Sequence, residues 1–224
     1  WKGWRPRYCH SPLSGIICNK IKFFKMIYDL KRYKTNIDVL YFKNKILKNE
    51  KKIIQKYPAK SWDLKEDFDG ATGLGYNSLT ARSPHFNVLN WWGVSSLKKE
   101  IKKSYFDITK NKKQPLYVQC WANVMRNGEV IKYHRHRNYD ASVKYGSISG
   151  NLFISCDVQT HTHYESFSIP NEPGVMTLFP SFVGHRTDKY VGNEERISIA
   201  FDIKTKEDWH EDVYDGAKRH WIKI

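Results

Sequence analysis

The sequence predicts a mainly β fold of sandwich or barrel type, fronted by a helical, irregular N-terminal part. Three observations carry this. Seven short strand-like runs crowd into residues 114–203. Turn-forming residues separate them at close spacing, as in all-β sandwiches and barrels. Ahead of them, residues 36–57 show a helical period with lysines on the outer face.

The elements follow in order. Over 36–57, apolar residues recur at Val39, Leu40, Tyr41, Ile46, Leu47, Ile53 and Ile54. Pro58 ends this helix, because proline cannot donate to the preceding turn and clashes with it. Residues 61–92 combine Asp67, Asp69, Gly70, Gly73, Gly75 and Asn77 with an apolar, aromatic stretch from Phe86 to Trp92. They predict a loop-rich segment with one or two short strands. Ser95 and Ser96, ahead of Leu97, Ile101 and Phe106, predict an N-capped helix ending near Lys110. The strand-like runs are 114–125, 129–136, 142–148, 151–158, 163–169, 174–179 and 196–203. Arg126-Asn127-Gly128, Asn171-Glu172-Pro173-Gly174 and Gly192-Asn193 punctuate them. No internal repeat or low-complexity linker divides the chain. Residues 1–112 are therefore expected to pack, as a helical and loop-rich part, on a β core over 113–224.

Composition narrows the class. Apolar residues make up 40% and aromatics 15%, which marks a globular rather than a disordered chain. No run approaches the roughly 18 to 20 apolar residues of a membrane span, and Asn19, Lys20, Lys22 and Lys25 interrupt the stretch from Ile16 to Ile27. The net charge of +15 admits two readings: a surface for nucleic acid or an acidic polymer, or a bias towards Lys, Ile and Asn. The lysines are scattered over 20–60 and 98–113 without aromatic stacking partners, which favours the bias. Cys9, Cys18, Cys120 and Cys156 form no Cys-x-x-Cys pair, so a zinc ribbon or redox motif is not expected. Cys120 and Cys156 lie in strand-like runs as small buried residues, and nothing requires Cys9 and Cys18 to pair. Free thiols predict an intracellular, cytoplasmic setting, the host cytoplasm if the protein is viral.

The chemistry concentrates in four residues. His134 and His136 lie one residue apart, so an extended chain presents both on one face. His185 closes the next candidate position, and Arg196 follows 11 residues later in a strand-like run. This is the layout of a mononuclear non-haem iron site. Such a site takes three protein ligands on one side and leaves three positions for a bidentate co-substrate and dioxygen. His161 and His163 repeat the spacing, but no third ligand or arginine is set against them, so a loop or an exposed strand edge is expected there. In Arg196-Ile197-Ser198-Ile199-Ala200-Phe201, the arginine shares a face with Ser198 and Ala200. Facing the barrel interior it would be a costly buried charge without a partner, and a dicarboxylate gripped bidentately would supply one. The alternative is an exposed edge strand with Arg196 paired to Glu194 or Glu195. Trp121 and Asn123, on a neighbouring run, are candidates for lining the co-substrate pocket, or equally an ordinary packing face.

Residues 119–203 resemble the iron(II)- and 2-oxoglutarate-dependent dioxygenases, especially the small prolyl-hydroxylase-like proteins of bacterial and phage genomes. The matching pieces are Gln119 to Met125, Tyr133-His134-Arg135-His136, Ser147-Ile148-Ser149-Gly150, Gly174 to Ser181, His185, and Glu195 to Asp202. The resemblance implies a double-stranded β-helix, or jelly roll, as the catalytic core, with iron(II) at its open end. It implies His134 and His185 as ligands, with His136 the third by the strand spacing, and Arg196 with Ser198 on the distal carboxylate of 2-oxoglutarate. It implies hydroxylation of a C–H bond, a peptidyl residue among the candidates, with succinate and carbon dioxide as co-products and ascorbate as reductant. The commoner superfamily pattern has an aspartate or glutamate where this chain has His136, although histidine occurs there in the small subfamily. Three neutral imidazoles leave the metal one positive charge higher, which favours a dianionic co-substrate. Asp140 is the fallback carboxylate. Two other functions fit the same residues: a non-catalytic metal-binding jelly roll, and a basic nucleic-acid-binding module built on the 36–57 helix. A basic N-terminal part recruiting a nucleic acid, acidic polymer or protein as substrate would combine the readings.

Overall fold

The computed structural model describes residues 30–58, 73–110, 114–212 and 220–224. The stretch from Ile16 to Ile27, Cys9, Cys18 and the 61–72 part of the expected loop segment lie outside the described residues. Among the described residues, nine strands form two antiparallel sheets. The larger has the order β1 (Lys31–Lys34), β6 (Val175–Pro180), β3 (Ile148–Ser155), β8 (Arg196–Thr205), β2 (Leu116–Met125) and β9 (Ile222–Lys223). The smaller has β5 (Ser168–Pro170), β4 (His161–Tyr164) and β7 (His185–Thr187).

A further stretch extends the smaller sheet. His134 and His185 form a single antiparallel bridge, and Thr187 N donates to Ile131 O and Tyr190 N to Glu129 O. Followed along the chain, β2 lies in the large sheet, 129–134 in the small, β3 in the large, β4 and β5 in the small, β6 in the large, β7 in the small and β8 in the large. This alternate winding is a jelly roll.

The two faces of the large sheet differ because strand side chains alternate. Val118, Cys120, Ala122 and Val124 of β2 and Ile197, Ile199, Phe201 and Ile203 of β8 join one apolar cluster with the helices. Gln119, Trp121 and Asn123 of β2 stand opposite Asp202, Ala200 and Ser198 of β8 on the other face. The helices thus cover the outside of the sheet and leave the polar face for the interior of the roll. Helix α1 (Val39–Lys56) packs on β3 and buries Phe42 and Ile46; Asp38 caps it, accepting from Tyr41 N at 2.9 Å. Helix α2 (Ser95–Thr109) buries Leu97, Ile101 and Ile108, and Lys110 ends it with φ of 57°.

Several expectations need correction. The residue before α2 is Val94, which makes no capping bond, so Ser95 and Ser96 lie within the first turn rather than capping it. Among the described residues of 61–92 there is no strand; two 3-10 turns, Thr80–His85 and Val88–Asn90, take that place. The expected strand over 142–148 is instead the short helix α3 (Tyr139–Tyr145). Asn138 caps it by accepting from Ala141 N at 3.0 Å, and Gly146 stops it with φ of 64°. The run at 163–169 is a hairpin, with Glu165, Ser166 and Phe167 turning between β4 and β5. Helix α4 (Lys206–Asp212) follows β8. No helix among the described residues is long and apolar enough to cross a membrane.

Candidate metal centre

The His134–His185 bridge builds the first half of the site. The two residues exchange backbone hydrogen bonds, N to O at 3.0 Å and 2.9 Å. Directly opposed residues project to the same face of a sheet, and their ring centroids lie 4.4 Å apart. His136, two residues along, lies on the same face, its ring 5.4 Å from His134 and 5.1 Å from His185. Its backbone N–H is held by Ser181 O at 3.0 Å. One ring nitrogen from each of the three falls within 4.8 Å of the other two.

Hydrogen bonds on the far side of each ring select the nitrogen that faces inward. His134 Nδ1 lies 2.8 Å from Lys132 O, and His185 Nδ1 lies 3.2 Å from Val183 O. His136 Nδ1 lies 2.6 Å from Asp202 Oδ1. Carbonyl and carboxylate oxygens only accept, so each Nδ1 carries the proton and each Nε2 offers its lone pair to the centre. Burial, and then the repulsion that a second proton on His136 would exert, lower the pKa of His134. The same causes in the same order, followed by His134, take His185 well below the ordinary histidine value. Two of the rings are thereby kept in the neutral form a metal needs. Trp121 stacks at 5.6 Å on His136.

Arg196 lies deep in the same cavity and is 2% exposed. Its Nη1 donates to Met125 Sδ at 3.0 Å. A guanidinium has only donors, so the Asn171 amide turns its oxygen towards it, accepting from Nη2 at 2.8 Å and Nε at 3.0 Å. Among the described residues no carboxylate lies within ion-pair distance of Arg196. Burial pulls its pKa down to about 10. Ser198 is buried beside it on the same face of β8.

The cavity, about 190 Å³, is lined by the three imidazoles, Arg196, Ser198, Trp121, Asn123 and Asp202, with Thr80, Asn151 and Thr162 among its other walls. The four expected co-substrate residues thus meet in one space with the three histidines. Asp140 lies in the first turn of α3, exposed, and is not one of the cluster. His161 and His163 sit on β4, the central strand of the small sheet rather than an edge or loop. Both reach Asp188, at 3.3 Å and 2.5 Å.

Some functional neighbours escaped the sequence reading. Thr80, on a 3-10 turn, donates to Asn123 Oδ1 at 2.8 Å and fixes that side chain, and nothing in the local pattern pairs them. Asp202 was legible in principle. It continues the row of Arg196, Ser198 and Ala200 by one more step of two.

Residues 155–202 match the model of the family described as "Putative 2OG-Fe(II) oxygenase". The fold is similar to the crystal structure of a Pseudomonas putida prolyl-4-hydroxylase, at 11% identity and a TM-score of 0.52, over 88% of this chain and 96% of that one. A Trichoplax adhaerens prolyl hydroxylase in complex with a hypoxia inducible factor oxygen degradation domain peptide fragment aligns at 8% identity and a TM-score of 0.47, covering 92% of this chain and 99% of that one. A Burkholderia pseudomallei oxidoreductase of the 2OG-Fe(II) oxygenase family aligns at 17% identity and a TM-score of 0.35, over 46% and 49% of the two chains. No curated protein matches the chain in sequence.

Proposed function

We infer that this chain is an iron(II)- and 2-oxoglutarate-dependent dioxygenase that hydroxylates a C–H bond. One observation carries the reading: a buried guanidinium, with no carboxylate within ion-pair distance among the described residues, shares a cavity with three imidazoles converging on a point. The donor set fits a divalent metal. Three Nε2 atoms face the centre, each ring is oriented by a bond at Nδ1, and two rings are held neutral. Arg196 fits a dicarboxylate, since the anion would neutralise a charge that burial makes costly.

His134, His136 and His185 would hold the iron, and Arg196 with Ser198 would bind the far carboxylate of 2-oxoglutarate. Asn123, fixed by Thr80, and Trp121, stacked on His136, would wall the co-substrate site and exclude water from it. Iron(II), when bound, supplies the activation of dioxygen that couples decarboxylation of 2-oxoglutarate, to succinate and carbon dioxide, with oxygen insertion. The chain's own contribution is placement and exclusion of solvent.

We take a peptidyl residue as the substrate class, on the likeness in fold to a prolyl-4-hydroxylase. We assign a cytoplasmic setting, in keeping with free thiols at Cys120 and Cys156.

The test is succinate formation from 2-oxoglutarate with iron(II) and ascorbate, alongside calorimetry of 2-oxoglutarate binding. Uncoupled turnover, lost in His134→Ala, is the expected result. Pure iron-loaded protein with neither turnover nor binding would overturn the assignment.

A further inference from the structure

Three imidazoles carry no charge, whereas two imidazoles and a carboxylate carry one negative charge. The cavity supplies a carboxylate nonetheless, at Asp202. Its Oδ1 accepts the proton-bearing Nδ1 of His136 at 2.6 Å and also accepts from Ser149 Oγ at 2.6 Å. Ser149 Oγ lies 2.8 Å from Ser181 Oγ, and Ser181 O holds the backbone N–H of His136. The Asp202 carboxylate and the His136 backbone are thus tied to the same serine pair. The side chains of His136 and Asp202 are 7% and 20% exposed, so water screens the contact only partly.

The other two rings differ. His134 and His185 donate to the backbone carbonyls of Lys132 and Val183, which are neutral. Among the described residues, His136 alone of the three hydrogen-bonds to a formal charge, and His136 stands at the position where the commoner pattern has a carboxylate. Asp202 also shares a face of β8 with Arg196, six residues away, so one strand carries the co-substrate anchor and this carboxylate.

We propose that Asp202 is a positioning residue that restores, one imidazole removed from the metal, the negative charge missing from the three-histidine set. The inference rests on His136 being a ligand. A carboxylate that accepts the Nδ1 proton fixes the ring orientation and makes Nε2 a stronger donor. It also returns the net charge of the centre to that of a two-histidine, one-carboxylate site, without occupying a coordination position.

The probe is cobalt(II) alone, titrated into the full chain and followed by its visible absorbance. Asp202→Asn keeps the shape and an acceptor oxygen but removes the charge. It is expected to bind cobalt(II) about 10- to 100-fold more weakly, the usual cost of losing such a partner, with circular dichroism and melting temperature retained. The double variant Asp202→Asn/His136→Asp moves the carboxylate onto the metal and is expected to regain wild-type affinity to within a few-fold. Wild-type affinity in Asp202→Asn overturns the proposal, and so does a loss that the double variant fails to recover. Nitrogen-15 NMR of the metal-free protein gives a second reading. His136 should be the Nδ1–H tautomer in the wild type, and an Nε2–H tautomer there refutes the inference even if the variants misfold. A wild type that takes up no cobalt(II) refutes the metal centre itself, and this inference with it.

Discussion

At the residue scale, Arg196 sets binding against stability. A buried guanidinium whose hydrogen-bond acceptors among the described residues are Asn171 and a thioether, with no ion-paired carboxylate, lowers the stability of the co-substrate-free fold. Arg196→Met fills similar space without the charge. It should raise the melting temperature of the metal- and 2-oxoglutarate-free protein, and calorimetry should show 2-oxoglutarate affinity at least about 30-fold lower, the lower end of what truncating one partner of a buried charge pair costs. Unchanged affinity would remove Arg196 from the site. The histidines set a pH dependence. In the metal-free protein the folded state holds His134 and His185 below the ordinary value of 6.5, so between the two values only the unfolded chain takes up their protons. Stability is therefore full above 6.5 and falls as the pH drops through it. The urea midpoint in chelator should be lower at about pH 5 than at about pH 7.5, and His185→Gln should reduce that difference.

At the scale of elements, β8 does most to place the site, and it was the most legible. Strict alternation put Arg196, Ser198 and Ala200 on one face of the sequence, and the structure puts them on the cavity side. The strands at 116–125, 175–180 and 196–205 also follow the pattern closely. What could not be read came from contacts distant in sequence. The expected strand over 129–136 does not form as such: only His134 bridges β7, to a partner more than 50 positions away. Residues 142–148 alternate like a strand, yet the Asn138 cap ahead of the run and the Gly146 stop within it decide for helix. Close packing of the large sheet depends on Gly150 of β3. A Cβ there would lie 2.4 Å from the Phe201 ring and 2.7 Å from Thr177 O, on the two neighbouring strands. Gly150→Ala should cost about 1–3 kcal/mol in a urea titration, as an overpacked core does. A neutral result would mean that β3 and β8 have room to part.

At the scale of the whole molecule, the helices close the outside of the large sheet, and the open inner side is left for ligands. Binding there should stabilise the fold through linkage. Manganese(II) and 2-oxoglutarate together, each at about 100 times its dissociation constant, should each add about 2.7 kcal/mol to unfolding. 2-Oxoglutarate should shift the melting temperature further when manganese(II) is present than alone. Equal shifts would argue against one shared cavity. The two halves of that cavity are not held alike. β8 is hydrogen-bonded along its length to β2 on one side and for most of it to β3 on the other, whereas the stretch bearing His134 and His136 is joined to the small sheet by one bridge and a few loop contacts. Amide exchange should be slowest over 197–203 and fast over 129–138, because single-bridge segments open without global unfolding. A chelator would then strip the ion by peeling that one flap, while the arginine strand stays folded and ready to be reloaded.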